Sequence, residues 1–594
     1  MPHTPGAPRR AAPLATAARV QAARAVGTRT TGAFAGAALV LLASALLTPA
    51  RTAAQPVLGP GDDASIPAPG QVRVRTQLTF GAARDRAGGR TGGSSGRVVL
   101  GTEYGLDSLT TSQLPGLTAA RDALRLATGA TGLGLSLGTL GVRARLNTST
   151  LPVLTEVGLT RRLAFSVTIP YTQTRTLVDL VPNAGGGSGN FGLNPAVGTD
   201  PAAVAARAQT DSALAHLTAA ATAARSNCPT ESAAANCATA RALATTAEQV
   251  RTQLASIYGF STSTAGLVVV PLANSDAQRA VAQRYADLAA QFAAVGVAFN
   301  GGVLPAPSRA RVGLPGLLTL LNTTGYGVAR SNVVRPLQSL ARGGRGDVEV
   351  AASFQLVNGF GGAARDGAVR ARVAPTAGLR VRSTVTGGFR FATGLGPSSS
   401  LLYQVAPSER SAAVLARSAT DFAFGRRASA SVVARVALPL ADQITIRIPL
   451  AEGEPFAPAY AAREVDRHLG RELELEVTPR YALGESFAFA AQGVLRDRRA
   501  AEFTGRYELT AAETGGDPVT LDATALGVGT GGREAQVGLG ASYSTLAAYR
   551  RGRSRLPLEV SYLHRATASA SGGAVPYVTT DQLSVRLYVR LLGR

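Results

Sequence analysis

The residues best suited to binding a ligand are arginines that alternate with apolar residues near both ends of the chain. Arg73 and Arg75 do so in QVRVR, and Arg586 and Arg590 do so in SVRLYVRLL. A guanidinium group is always charged and binds anions through paired hydrogen bonds. Similar alternation places further charged residues at Arg370, Arg372, Arg380, Arg382, Arg447, Glu472, Glu474 and Glu476. These side chains could attract anionic solutes, or they could pair with one another as a structural network.

Catalytic and cofactor chemistry has little support in the sequence. Apart from His3, the histidines are His216, His468 and His564, which lie far apart, and a hydrolase would need one of them beside a nucleophile and an acid. Asp466 lies close to His468 in VDRHLG, but no partner motif is near, so we expect surface-loop residues. No glycine run joins a strand to a helix as a nucleotide cradle does. The sequence predicts no catalytic residue, no metal site and no cofactor.

The charged residues belong to segments in which apolar and polar residues alternate with a period of two. In LTRRLAFSVTIPYTQTRT (159–176), Leu163, Phe165, Val167, Ile169 and Tyr171 share one face of an extended chain. The same pattern recurs in segments such as QITIRIPL, RELELEV and SFAFAAQGVL. We count roughly 12 to 16 such segments, each about 8 to 12 residues long. That number and that length are typical of tilted strands that cross a bilayer.

The composition indicates that the apolar faces contact lipid rather than a protein core. Aromatic residues make up only 5% of the chain, tryptophan is absent, and the apolar faces carry modest valine, leucine, alanine and phenylalanine. The polar faces carry charges in the middle of long strands, as a wet or ion-paired lumen requires. The fold expected is therefore all-β, a transmembrane antiparallel β-barrel with an α-helical insertion. A secreted β-sandwich or β-helix is the alternative.

In a closed barrel the first and last strands pair, so the terminal arginines would meet at one seam. One interpretation is a cationic stripe in the lumen that favours anionic solutes. The other is neutralisation by carboxylates that cross the lumen, with these candidates: Glu349, Glu472, Glu474, Glu476, Glu534 and Glu559.

The hairpin EVGLTRRLAFSVTIPY resembles the first hairpin of outer-membrane barrels grouped with the phenol-degradation meta-pathway transporters, and RGDVEV resembles the opening of a later hairpin in that group. The likeness covers residues 151–173 and 345–594. It implies a channel for hydrophobic or aromatic compounds and no catalytic residue. Two features depart from the family pattern: the large helical insert, and the ending Leu592-Gly593-Arg594 where an aromatic residue is usual.

The helical insert spans residues 195–300. Asp200-Pro201 has the form of a helix start, and Ser275 begins a second capping pattern. Cys228 and Cys237 would pair in an oxidising compartment and staple a helix hairpin. The insert is either a plug or cap that gates passage, or an extracellular domain that shapes surface contacts.

The N-terminus predicts export. Residues 1–31 contain five arginines and no acidic residue, an apolar run follows from Ala33 to Leu47, and Thr52-Ala53-Ala54 suits signal peptidase. The net charge of +23 is carried by arginine, and the chain has no lysine. One interpretation is the codon bias of a GC-rich genome. The other is that the excess positive charge attracts anions. No nucleic-acid motif accompanies it.

These observations predict four parts: a signal peptide (1–54), N-terminal barrel strands and loops (55–194), the insert with its disulfide (195–300), and C-terminal barrel strands (301–594). We expect a porin-like, non-enzymatic protein of a Gram-negative outer membrane that passes small hydrophobic, aromatic or anionic solutes. Its partners would be lipid, those solutes and the barrel-assembly machinery. The alternative is a non-conducting structural or surface-interaction barrel with an ion-paired lumen. A barrel enzyme would need His468 or His564 beside a serine or aspartate.

Overall fold

The protein is described by a computed structural model over most of its length. The described residues are 63–88, 96–183, 189–230, 232, 236–258, 269–322, 339–360, 379–399, 405–425, 427–451, 456–514, 518–573 and 575–590. The expected signal peptide (1–54) and the candidates Arg370 and Arg372 lie outside these ranges.

Twelve strands form one closed antiparallel sheet. They are β1 (Gln71–Ala87), β2 (Leu140–Gly158), β3 (Leu163–Pro182), β4 (Val348–Asn358), β5 (Leu379–Phe391), β6 (Ala413–Phe424), β7 (Ala428–Pro439), β8 (Glu472–Ala482), β9 (Phe487–Arg498), β10 (Gly532–Ser544), β11 (Leu558–Ser571) and β12 (Pro576–Arg590). β1 pairs with both β2 and β12, and Arg75 lies opposite Arg586 across the closing seam. The predicted all-β antiparallel barrel with a helical insertion is confirmed.

The two ends of the barrel differ. At one end, called the short-turn end, three of the five connections are brief, namely 159–162, 425–427 and 483–486, and two are longer, namely 359–378 and 545–557. Gln71 and Arg590 also lie at this end. At the other, the long-loop end, lie the connections 88–139, 183–347, 392–412, 440–471 and 499–531, beside one tight turn at 572–575. This inequality is typical of bacterial outer-membrane barrels, whose short turns face the periplasm.

An apolar belt surrounds the barrel. Every strand presents an exposed large apolar side chain to the outside, namely Phe80, Leu151, Ile169, Phe354, Val385, Val414, Leu438, Tyr481, Phe489, Leu539, Tyr562 and Leu583. On β3 the outward residues are apolar from Leu163 to Tyr171 and then polar at Gln173 and Arg175. With a rise of about 3.4 Å and a tilt of about 40°, that apolar stretch is roughly 20 Å tall, close to the lipid-facing band of outer-membrane barrels.

No helix among the described residues is both long and apolar enough to span a membrane. The helices are α1 (Thr118–Thr128), α2 (Pro201–Asn227), α3 (Cys237–Tyr258), α4 (Asp276–Ala294), α5 (Leu314–Asn322), α6 (Ala511–Thr514) and α7 (Leu546–Arg550). Within the described ranges, short 3₁₀ helices cover Thr102–Tyr104, Pro115–Leu117, Ala459–Ala461 and Ala523–Leu526.

Helices α1 to α4 form a cap at the long-loop end, on top of the two longest strands. β2 has 19 residues and β3 has 20, and their upper residues Leu140 and Leu180 belong to the same buried cluster as the four helices. Phe456, from the connection between β7 and β8 on the far side of the barrel, joins that cluster, and its ring centroid lies 5.8 Å from that of Tyr104. The cap therefore reaches across the mouth of the barrel.

Local sequence explains where the cap helices begin. The Asp200 side chain accepts a hydrogen bond from the Ala203 N–H at the start of α2, and Ser275 does the same for Gln278 at α4, as the capping patterns predict. A disulfide joins Cys228 to Cys237 across the α2–α3 turn, with 4.9 Å between the Cα atoms. α1 was not predicted, because its segment was expected to hold only barrel strands and loops.

Two short strands extend the barrel sheet at the long-loop end: Arg97–Val99 pairs with β1, and Leu340–Arg345 pairs with β3. The other short strands of the described residues form smaller sheets outside the wall, namely Phe191–Leu193, Val269–Pro271, Asp442–Arg447, Ala462–His468, Glu502–Thr504, Arg506–Leu509 and Val519–Asp522. Asp442–Arg447 pairs with Ala462–His468 in a separate three-stranded sheet. The prediction that QITIRIPL crosses the membrane and that Arg447 lines the lumen is therefore wrong. Its isoleucines pack on a small core of the long loops around Ile448, and such a half-buried surface alternates as a barrel strand does.

Candidate functional site: the occupied lumen

The inner face of the barrel carries a row of ion pairs over four neighbouring strands. Arg435 on β7 lies opposite Glu474 on β8, which lies opposite Arg496 on β9, which lies opposite Glu534 on β10. The closest nitrogen–oxygen distances along this row are 2.5, 2.6 and 3.3 Å, and Arg435 also pairs with Glu476 at 2.8 Å. Because each partner is the cross-strand neighbour, these pairs line the wall and do not cross the lumen. We call these five residues the wall ladder.

Two further pairs extend this pattern near the long-loop end. Arg390 on β5 binds Glu349 on β4 at 2.8 Å, and Arg498 on β9 binds Glu472 on β8 at 2.9 Å. Arg498 also pairs with Glu409, which precedes β6. Several of the glutamates proposed as neutralising partners are thus paired with arginines. These pairs run along the wall and do not cross the lumen.

A three-residue segment before β1, Asp63-Ala64-Ser65, lies inside the lumen at the short-turn end. We call it the strap. On one side, Arg73 of β1 donates to the Ser65 hydroxyl and carbonyl at 2.7 and 2.9 Å. On the far side, the Ala64 methyl group is buried against Ala419 of β6 and Val433 of β7. The strap therefore spans the lumen.

The peptide groups of Ala64 are bound by three strands. Its N–H donates to the Asp421 carboxylate of β6 at 2.9 Å. Its carbonyl accepts from Thr384 of β5 at 2.5 Å and from Gln355 of β4 at 3.2 Å. A buried peptide needs such partners, and here side chains of the wall supply them.

The Asp63 carboxylate lies among three arginines from three strands. Its oxygens are 2.7 Å from Arg586 of β12, 3.8 Å from Arg382 of β5 and 4.0 Å from Arg73 of β1. Arg382 also binds Asp421 at 2.6 Å, and Arg73 also pairs with Glu156 of β2. The seam arginines are thus neutralised in part by the chain's own N-terminal segment.

The strap enters the lumen by bending over Gly158 at the end of β2. The Gly70 N–H donates to the Gly158 carbonyl at 2.9 Å. A methyl group at residue 158 would overlap the carbonyl oxygens of Pro67 and Ala68. Only glycine allows the two backbones to approach this closely.

The described parts of the connection between β5 and β6, residues 392–399 and 405–412, lie at the long-loop end and contact the far side of the lumen, and we call them the mouth loop. Its residue Val405 packs on a buried cluster of β1 and β2, and its carbonyl accepts from Thr174 of β3 at 2.8 Å. Asp347 anchors the loop by accepting from the Gly394 N–H at 2.8 Å and from the Ser408 hydroxyl at 2.5 Å. Residues 400–404 of the connection lie outside the described part.

A cavity of about 210 Å³ adjoins the strap, on the side of β5 to β12. Its lining includes Asp63, Arg382, Arg480, Arg586 and the ring of Phe360. The Arg480 guanidinium donates to the Ser431 hydroxyl at 2.6 Å. A twelve-stranded barrel at a strand spacing of about 4.8 Å and a tilt of about 40° is roughly 24 Å across its backbone, more than inward side chains fill. The strap and this cavity occupy the surplus space.

The structure brings most of the predicted lumen residues to the inner wall. Arg73, Arg75, Arg586, Arg382, Glu472, Glu474 and Glu476 face inward. Arg380 donates to the Gly425 carbonyl at 3.3 Å at the short-turn end, and Arg590 lies at the end of β12 opposite Gln71.

The histidines are not loop residues, contrary to the prediction. His216 lies in α2, His468 ends an extra-barrel strand, and His564 lies on the outward face of β11. His564 Nδ1 is 2.8 Å from Asp581 of β12, and the Tyr562 hydroxyl donates to the same carboxylate at 2.6 Å. Ser561 and Ser584 of the same two strands face inward, on the opposite side of the wall from this pair. Among the described residues, no group of three His, Cys, Asp or Glu side chains could hold a metal ion.

Sequence reasoning missed the residues that fill the lumen. The strap sits in GDDASIPAP, which has no periodicity, and the mouth loop is an irregular connection. In the sequence, the local sign of the strap is Gly158, where the two backbones approach closely. A single glycine does not indicate which segment packs against it.

Comparison with known proteins gives matches among solved structures only. No family model and no curated protein matches the chain. The COG4313 outer membrane channel from Pseudomonas putida F1 aligns with a TM-score of 0.38 at 8% identity, over 90% of this chain and 100% of that one. The translocator domain of the autotransporter NalP from Neisseria meningitidis has a TM-score of 0.26 at 6% identity, over 87% and 88%.

The Ralstonia pickettii toluene transporter TbuX has a TM-score of 0.24 at 8% identity, over 89% of this chain and 91% of that one. Two of these three are named as a channel or a transporter. At TM-scores below 0.5 they carry no argument about what this chain does, which has to come from its own contacts.

Proposed function

We propose that this protein is an outer-membrane channel for small solutes, closed at rest by the strap and the mouth loop. The observation that carries the proposal is the strap itself. It is a segment before the first strand that occupies a polar lumen mainly through hydrogen bonds and ion pairs, with the Ala64 methyl group as its apolar contact. A segment held in this way can leave and return without unfolding the wall.

The chemistry of the wall favours polar or anionic solutes over hydrophobic ones. Buried inward side chains include Arg435, Glu476, Gln492, Gln536 and Thr567, whereas the large exposed apolar residues face outward. A hydrophobic solute would have to displace water and polar partners along this route at a cost.

The belt and the two unequal ends support a proposal for the location. We place the belt in the outer membrane, the short-turn end with the strap in the periplasm, and the cap outside the cell. The signal peptide (1–54) and the barrel-assembly machinery would deliver the chain there. N-terminal sequencing of the protein from isolated outer membranes tests this, with cleavage after Ala54 expected. Recovery in the soluble fraction would contradict the placement.

The test of the channel is conductance of the refolded protein in planar bilayers. Gly158→Ala should expel the strap, because a methyl group there overlaps the strap's approach, and Asp347→Ala should release the mouth loop. The double variant should show steady open steps where the wild type shows rare ones. The matched control is Gly493→Ala on β9, where an added methyl group meets nothing within 4 Å, and it should behave as wild type.

The alternative is a non-conducting structural barrel, which the wall ladder favours as a rigid frame. A double variant that folds, by its heat-dependent gel shift, yet conducts no better than Gly493→Ala would establish that alternative and overturn the channel.

A further inference from the structure

We infer that Arg73, Arg382 and Arg586 form a binding site for small carboxylate solutes, and that Asp63 occupies this site when the channel is closed. The inference deepens the proposed function, since it names the solute class. It begins from the fact that Asp63 is not part of the wall. Its carboxylate arrives on the strap and meets arginines of three different strands at 2.7 to 4.0 Å.

The wall holds these arginines in place without Asp63. Arg73 keeps its pair with Glu156, and Arg382 keeps its pair with Asp421 at 2.6 Å. Arg586 lies 4.0 Å from Glu559, farther than the 2.7 Å to Asp63. The three guanidinium groups therefore stay oriented when the strap leaves.

The charge around the site favours an anion once the strap has gone. Five arginines and three carboxylates other than Asp63 border this part of the lumen: Arg73, Arg382, Arg417, Arg480, Arg586, Glu156, Asp421 and Glu559. The excess is positive, and a carboxylate is the anion whose planar geometry a guanidinium group matches.

Space for the rest of such a solute exists beside the carboxylate position. The cavity of about 210 Å³ holds several waters or one small organic molecule. The Phe360 ring lines it and lies 4.8 Å from the Arg382 guanidinium carbon. Together they offer a charged end and one apolar face, which fits a small monocarboxylate better than a neutral solute.

Because Asp63 is tethered, it competes with a free carboxylate at a high effective concentration. Removing it should therefore strengthen binding of the free ion. The probe is benzoate, titrated by calorimetry into the folded, detergent-solubilised protein, with benzyl alcohol as its neutral counterpart. Asp63→Ala should bind benzoate at least about tenfold more tightly than wild type does. Gly158→Ala should act in the same direction, since it displaces the strap and leaves Asp63 intact.

Adding Arg586→Gln to Asp63→Ala should abolish benzoate binding. Adding Arg565→Gln, an inward arginine of β11 that donates to Gln492, should leave it unchanged. The inference fails if Asp63→Ala binds no more tightly than wild type, if the two glutamine variants weaken binding equally, or if benzyl alcohol binds as benzoate does. Binding without conductance in the strap variants would keep the site and overturn the channel, so the two failures are distinct.

Discussion

Replacing Glu474 by glutamine tests how much the wall ladder stabilises the barrel. Its carboxylate accepts from Arg435 at 2.5 Å and from Arg496 at 2.6 and 2.8 Å, and the three side chains are largely buried. Hydrogen bonds to charged groups contribute about 1.5–3 kcal/mol each, and removing one partner of a buried pair costs about 3–5 kcal/mol. Arg435 keeps Glu476, and Arg496 keeps Glu534. We therefore expect the lower end, a loss of about 3 kcal/mol.

The measurement is urea unfolding of the protein refolded in lipid vesicles, followed by the gel shift between folded and unfolded forms. The matched control is Glu559→Gln, another lumen carboxylate, whose only close arginine is at 4.0 Å in the described pairs. A pair at that distance contributes less than about 1 kcal/mol. Equal midpoints for the two variants would refute the idea that the ladder stabilises the wall.

Three further predictions concern the cap and the belt. Replacing Cys228 and Cys237 by serine should lower the cap's unfolding free energy by about 2.5 kcal/mol, through the loop that the disulfide closes; an unchanged helical melting curve would contradict this. Leu539→Arg on the lipid face should cost about 2–4 kcal/mol in vesicles and much less in detergent, whereas equal effects would place Leu539 away from the bilayer core. Burial, and then the charge of Tyr285, raise the pKa of the Tyr258 phenol well above its usual value of about 10, so the neutral form is favoured in the folded cap. The cap's stability should therefore be complete below about pH 10 and fall as the pH rises above it. Circular dichroism should show a smaller alkaline loss for Tyr258→Phe, and an identical loss would rule out this source.

The alternation of residues predicted most of the wall, because each strand has one face toward lipid and one toward the lumen. The outward positions of β3 from Leu163 to Tyr171 match the face chosen from sequence. The same rule failed at QITIRIPL, since alternation reports a half-buried surface and not what covers it. It also overlooked β6 and β7, whose small residues such as Ala419 and Ser431 give weak contrast between the two faces.

The contents of the lumen were beyond sequence reasoning for a different reason. Ala64 is bound by Asp421, 357 positions away, and by Thr384, 320 positions away. Such contacts are fixed by closure of the barrel and leave no periodic trace in the strap. The sequence predicted that the arginines of β1 and β12 meet at the seam. It gave no indication that Asp63, from the segment before β1, would bind them.

The two layers of charge in the lumen differ in how they are held, and this separates stability from gating. The ladder around Glu474 joins neighbours in the sheet, so it forms with the wall and breaks with it. The described contacts of the strap with the wall are side-chain hydrogen bonds, ion pairs and the packing of the Ala64 methyl group, and none of them belongs to the ladder between strands. Release of the strap therefore leaves the strand register unchanged. Gly158→Ala should accordingly change the open probability and leave the urea midpoint near that of wild type, whereas Glu474→Gln should do the reverse. If both variants moved both quantities together, the strap would be part of the folding core, and a channel that opens by its release would be untenable.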